Sequence, residues 1–224
     1  MSVLSGERRA ARAAVRDARS GAGPTRDGVE PGPNPGASAK FGLFGEVLTI
    51  GLMMTLVALP VVTLPLALAA GIRHLRRFVD ASDSRATFFW ADVRAGFLRS
   101  LAVGFPAAII ATVLTIDILL AGTGALPGGQ VIAVVGWAGL LALAVALLIA
   151  AGEWEPETGW SAAVRAVPRI VFADIVGTLY LAATAVFVGV VTWMLAPVVI
   201  AGLGCAALAV IAVPQRRVSE RRMR

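Results

Sequence analysis

The 224-residue chain contains one cysteine, one histidine, one tyrosine and one lysine. A lone thiol excludes an intramolecular disulfide, and a lone histidine excludes a histidine-based metal cluster. Charge is scarce too: Asp, Glu, Lys and Arg make up 15% of the residues. Five long stretches, at 47–72, 101–121, 131–151, 175–194 and 197–213, hold one charged side chain between them, Asp117. Phosphate-loop, zinc and nucleophile-elbow motifs are missing, and no apolar segment with a small-residue cleavage site marks a cleavable signal peptide. The segments between the apolar stretches are too short and polar to make a soluble catalytic domain.

What is present is apolar surface. The hydrophobic fraction is 58% and the mean hydropathy +0.81. About 18 or more apolar residues suffice for a helix to cross the hydrocarbon layer, and a soluble fold of this size cannot bury five helices that are apolar all round. The sequence therefore predicts an all-α integral membrane helical bundle with about five transmembrane helices and amphipathic interfacial segments. Three regions are expected: a disordered Arg-rich tail and Gly/Pro linker (1–40), a five-span membrane domain (41–213) and a basic tail (214–224).

The net charge of +6 is uneven. Segments 1–40 and 73–100 each carry +3 and 214–224 carries +4, whereas 152–174 carries −2. Basic residues beside spans point to anionic lipid and to the positive-inside bias, so no nucleic-acid partner is expected. The 73–100 segment and the C-terminus then face the cytoplasm, the uncharged junctions face outward, and five spans put the N-terminus outside.

Several segments suggest particular roles. Pro60 and Pro65 interrupt the first apolar run and predict a kink, with the Thr63 hydroxyl placed to satisfy a freed carbonyl. Beyond a turn at 80–84, residues 87–98 put Phe89, Val93, Gly96 and Phe97 on one helical face and Asp92, Arg94 and Arg99 elsewhere. Trp160, Val164, Val167 and Ile170 share a face in the same way. Phe88, Phe89, Trp90, Arg94, Arg99, Trp160, Arg165 and Arg169 are accordingly expected as interfacial anchors. The likeness of the segments at Trp90 and Trp160, each between two spans, hints at an internal repeat.

Candidate sites are few. Asp117, near the end of its span, reads as an interfacial or capping residue, with a proton or cation site as the alternative. His74 reads as a solvated interface residue and Cys205 as a small core residue. Glu153, Glu155 and Glu157 read as a solvated acidic run, with weak calcium binding as the alternative. The glycines at 51, 71, 104, 136, 139, 177, 189, 202 and 204 are expected at helix contacts. No cofactor or metal is expected.

The run GLMMTLVALPVVTLPLALAAGIRHLRRF, the following FFWADVRAGFLRSL and the Ile116-Asp117 pair resemble the YesL-like bacterial membrane proteins of unknown function. The resemblance covers about residues 41–213, and the long Arg-rich N-terminus departs from it. It implies a multi-pass protein of the bacterial cytoplasmic membrane, accessory to carbohydrate uptake, with the bilayer and a sugar-uptake transporter as partners. A small transporter or channel acting as a homo-oligomer is the competing expectation, and a membrane-embedded enzyme is third, because one aspartate makes no acid–base pair.

Overall fold

The computed structural model describes residues 40–80, 86–124, 127–194 and 198–222, with side chains from 43 to 214. Seven α-helices account for nearly all of them: α1 (Lys40–Ala58), α2 (Leu64–Val79), α3 (Ala86–Gly122), α4 (Gly129–Glu153), α5 (Gly159–Ala173), α6 (Ile175–Met194) and α7 (Val199–Arg222). A single 3₁₀ turn, Val61–Thr63, joins α1 to α2. The expected all-α bundle is what the chain forms. α3, α4 and α6 are long and apolar enough to cross a membrane, while Leu43–Ala58 and Val199–Pro214 are shorter apolar helices.

The first apolar run departs from expectation. Instead of kinking, the chain reverses at Pro60–Thr63. Met54 of α1 lies against Gly71 of α2, and Glu46 meets His74, so the two helices run antiparallel. The reason is local. Pro60 ends α1 as the extended N-cap of the 3₁₀ turn, and Pro65 sits in the first turn of α2, where its missing N–H has no helical carbonyl to serve. The proline pair thus closes one helix and opens the next. At about 1.5 Å per residue the 19-residue α1 reaches ~28 Å and the 16-residue α2 ~24 Å, both under the ~30 Å of hydrocarbon.

Two more antiparallel pairs follow, α3/α4 and α6/α7, with α5 between them in the chain. Gly129 of α4 approaches Ala121 of α3, and Gly139 meets Leu114, while Gly202 of α7 faces Val188 of α6. α3 runs 37 residues, or about 55 Å, so it is not a span preceded by a separate surface helix. Its first half packs along α2 and its second half along α4. Gly104, between them, abuts the tip of the α1/α2 hairpin: a Cβ there would lie 1.8 Å from the Val62 carbonyl oxygen.

α2 is the centre of the bundle, in contact with α1, α3, α4 and α7. Every residue from 65 to 72 is buried. Inside lipid, helices gain little by hiding apolar surface from other hydrocarbon, so close packing decides association. Ala67, Ala69, Ala70 and Gly71 give α2 the slimness to take neighbours on all sides. α1 and α7 cross equally closely at Gly51 and Gly204, where an added Cβ would meet the backbone oxygens of Ile200 and Val47 at 2.0 and 2.2 Å.

The three hairpins sort the charges. The starts of α1, α3 and α6 and the ends of α2, α4 and α7 share one end of the bundle, and every charged residue described except Asp117 belongs to it. Residues 122–124 and 127–128, at the opposite end, are uncharged. Because the first run returns on itself, residue 40 lies at the charged end, which corrects the expectation that the N-terminal segment enters from the other side. α7 also continues through Pro214 to Arg222, so most of the expected basic tail is helical. The expectations for residues 1–39, and for the turn at 80–84 beyond Asp80, lie outside the described residues.

Candidate functional site

The most organised polar chemistry lies at the charged end, where α2 presents Arg73, His74, Arg76 and Arg77 in succession. Spacing along a helix puts Arg73 and Arg77, four residues apart, on one face and sends His74 and Arg76 to other neighbours. His74 turns toward α1 and meets Glu46, Nε2 to Oε1, at 2.5 Å. Arg77 Nη2 donates to Asp92 Oδ2 of α3 at 2.8 Å, and Arg73 Nε lies 3.4 Å from the same oxygen. Arg76 Nη2 donates to the Gly152 carbonyl at the end of α4 at 3.1 Å. One turn of α2 thereby ties α1, α3 and α4 together.

Two expectations are corrected here. His74 is buried at 3% exposure rather than solvated, and its Nδ1 has no partner among the described residues. Asp92 is 7% exposed and lies on the buried face of α3 with Phe89, Val93, Gly96 and Ser100, because Arg73 and Arg77 reach it there. A carboxylate taken from water is costly unless paired, and two guanidinium groups supply the pairing.

Aromatic rings pack around this cluster. Trp154, the first residue after α4, is buried and stacks on Trp160 of α5 with centroids 5.8 Å apart, and the Arg73 guanidinium lies 5.6 Å from its ring centroid. Arg77 lies 5.5 Å from the Phe88 ring. Both contacts have cation–π geometry. Of the eight expected anchors, Phe89 and Trp160 are buried inside the protein, while Phe88, Trp90, Arg94, Arg99, Arg165 and Arg169 are exposed. The inward face of α5 follows Trp160, Ala163, Val167 and Ile170, with Val164 outside. Trp90 and Trp160 thus occupy different environments, and the two similar segments are not structurally equivalent.

Arg73, Arg76, Arg77, Asp80, Trp154 and Glu155 border a cavity of about 180 Å³. Glu153, Glu155 and Glu157 are all exposed, and no group of three or more His, Cys, Asp or Glu comes together for a metal among the described residues. Asp174 accepts the Gly177 N–H at 2.7 Å and caps the start of α6. A smaller cavity of about 80 Å³ beside it is lined by Arg76, Asp174 and Thr178 among others.

The hairpin turn is the second feature. The Thr63 hydroxyl reaches the carbonyls of Val57 and Pro60, and its N–H donates to Pro60 at 2.7 Å. Thr63 and Pro65 are buried, whereas Pro60 is exposed. The hydroxyl thus serves carbonyls left open where α1 stops, which a non-helical turn among apolar helices requires.

Other candidates are more isolated. Asp117 is half-buried on α3 and joins no ion pair among the described residues. Cys205 is exposed, because α7 turns Gly202, Gly204, Ala206 and Ala207 inward and leaves the thiol on the other face. Threonines 49, 55, 112, 115 and 184 each donate to the carbonyl four residues back in their own helix. A cavity of about 770 Å³ between α4 and α6 is walled by Trp137, Leu141, Ala144, Val186, Gly189 and Trp193, among other apolar residues.

Sequence reasoning missed Glu46, Asp92 and Trp154. Glu46 lies one residue before the first apolar run, and a charge at such a boundary reads as solvated until the partner helix is placed. No family model, curated protein or solved structure matches the chain.

Proposed function

We propose that the chain is a non-catalytic multi-pass protein of the bacterial cytoplasmic membrane that acts as an accessory or scaffold subunit of a solute-uptake complex. Carbohydrate is the solute class implied by the YesL-like resemblance. The observation that carries this reading is how the hydroxyls of the apolar helices are used. Five threonines bond their own helix backbone and Thr63 closes the hairpin turn, while the cavity of about 770 Å³ between α4 and α6 is apolar. A path for sugars needs converging hydrogen-bond groups. The charged end of the bundle faces the cytoplasm in this reading, following the positive-inside bias.

A second reading is a small transporter or channel formed by several copies, and Asp117 favours it. An ionisable group on an apolar helix is costly and is generally retained for a purpose. Reconstitution distinguishes the two. The purified chain in proteoliposomes should move no sugar, and affinity capture from detergent-solubilised membranes should retain subunits of an uptake system. Flux by the purified protein that is lost in Asp117→Asn would establish the transporter instead.

A further inference from the structure

The cavity at the end of α2 has walls of both signs. Arg73, Arg76 and Arg77 border it from the helix, and Asp80 and Glu155 complete the lining. Asp92 sits beneath, paired with Arg73 and Arg77, and neutralises one positive charge of the three. Arg76 has a single described acceptor, the neutral carbonyl of Gly152. An excess of guanidinium charge thus faces two exposed carboxylates across about 180 Å³. A water occupies about 30 Å³ in the liquid, so a tetrahedral phosphate with a short substituent fits. The cavity opens where α2 and the apolar α4 end, the level at which lipid headgroups lie.

We propose that this cavity binds a phosphodiester bearing a primary ammonium, the headgroup of phosphatidylethanolamine. The phosphate lies against Arg76 and Arg73, whose planar N–H groups match phosphate oxygens. The ammonium lies toward Glu155 and Asp80 and donates hydrogen bonds to their carboxylates. A choline headgroup cannot donate such bonds and would need an open aromatic surface, but the Trp154 ring is engaged by Trp160 and Arg73. A glycerol headgroup leaves both carboxylates without a cation.

The full-length protein in detergent micelles, titrated with short-chain phospholipids and followed by native mass spectrometry, tests the assignment. Phosphatidylethanolamine should be retained about tenfold more tightly than phosphatidylcholine or phosphatidylglycerol, the effect of one charge-assisted hydrogen bond. Arg76→Ala should weaken all three lipids. Glu155→Gln changes an exposed side chain with no packing role, so it bears on the assignment even where Arg76→Ala misfolds; it should abolish the preference for ethanolamine. Equal retention of the three headgroups, or an unchanged preference in Glu155→Gln, would overturn the proposal. Competition by glycerophosphoethanolamine as strong as by the lipid would overturn the lipid source and assign the cavity to a soluble ligand.

Discussion

His74 and Glu46 are 28 positions apart and meet at 2.5 Å. On one continuous helix the same separation would span about 42 Å. Their contact turns an apolar run that reads as a span into a hairpin with both ends on one side. A Glu46→Cys/His74→Cys variant in a Cys205→Ser background should therefore be joined within one molecule by a short bifunctional thiol reagent, seen as a shift in gel mobility. An uncross-linked product in intact membranes would restore the single kinked span.

The same pair contributes to stability. Glu46→Ala leaves the buried His74 Nε2 without its partner, a loss of about 1–3 kcal/mol. Thermal unfolding in detergent should show it. The double variant with His74→Ala should lose less than the sum of the two single changes, because the two residues interact directly.

Asp92 is held by two arginines, so Asp92→Asn leaves two cations beside an apolar interior. The arginines are partly exposed, with side-chain accessibilities of 24% and 23%, which places the expected cost near 2–3 kcal/mol rather than at the top of the range for buried pairs. Chemical denaturation of the purified variant measures it. An unchanged midpoint would show that water screens the cluster.

Gly104 and Gly189 make a matched comparison. A methyl group at 104 would collide with the Val62 backbone, while one at 189 has no neighbour within 4 Å. Gly104→Ala should destabilise the protein by about 1–3 kcal/mol through forced separation of α3 from the hairpin tip, and Gly189→Ala should be neutral or mildly stabilising. Melting temperatures of the two variants in one detergent decide it.

Asp117→Asn should leave both membrane insertion and uptake by the assembled complex unchanged, since its carboxylate joins none of the ion pairs described. Uptake measured in cells carrying the variant checks this.

The apolar runs made the helices legible, because length and lack of charge are properties of each segment alone. What joins segments was not legible. Pro60 and Pro65 with three residues of turn between them fit a kinked helix as well as a reversal, and only the meeting of α1 and α2 separates the two. Helical periodicity placed Asp92 away from the apolar face, on the assumption that charge turns outward. The burial of Asp92 depends on Arg73 and Arg77 arriving from another helix, which no local pattern encodes. From sequence, Trp160 reads as a lipid anchor because aromatics beside basic residues favour headgroups. Its stacking partner, Trp154, lies six positions earlier across the break between α4 and α5.

α2 is enclosed in part by α7, and α1 shares its closest backbone crossing with α7 at Gly51 and Gly204. The ribosome makes the hairpin before its cover. Until α7 emerges, the face of α1 around Gly51 lacks its cover, so assembly of the earlier segment is completed by the later one. A nascent chain halted at residue 198 should accordingly be an open form, digested faster by protease than the released protein.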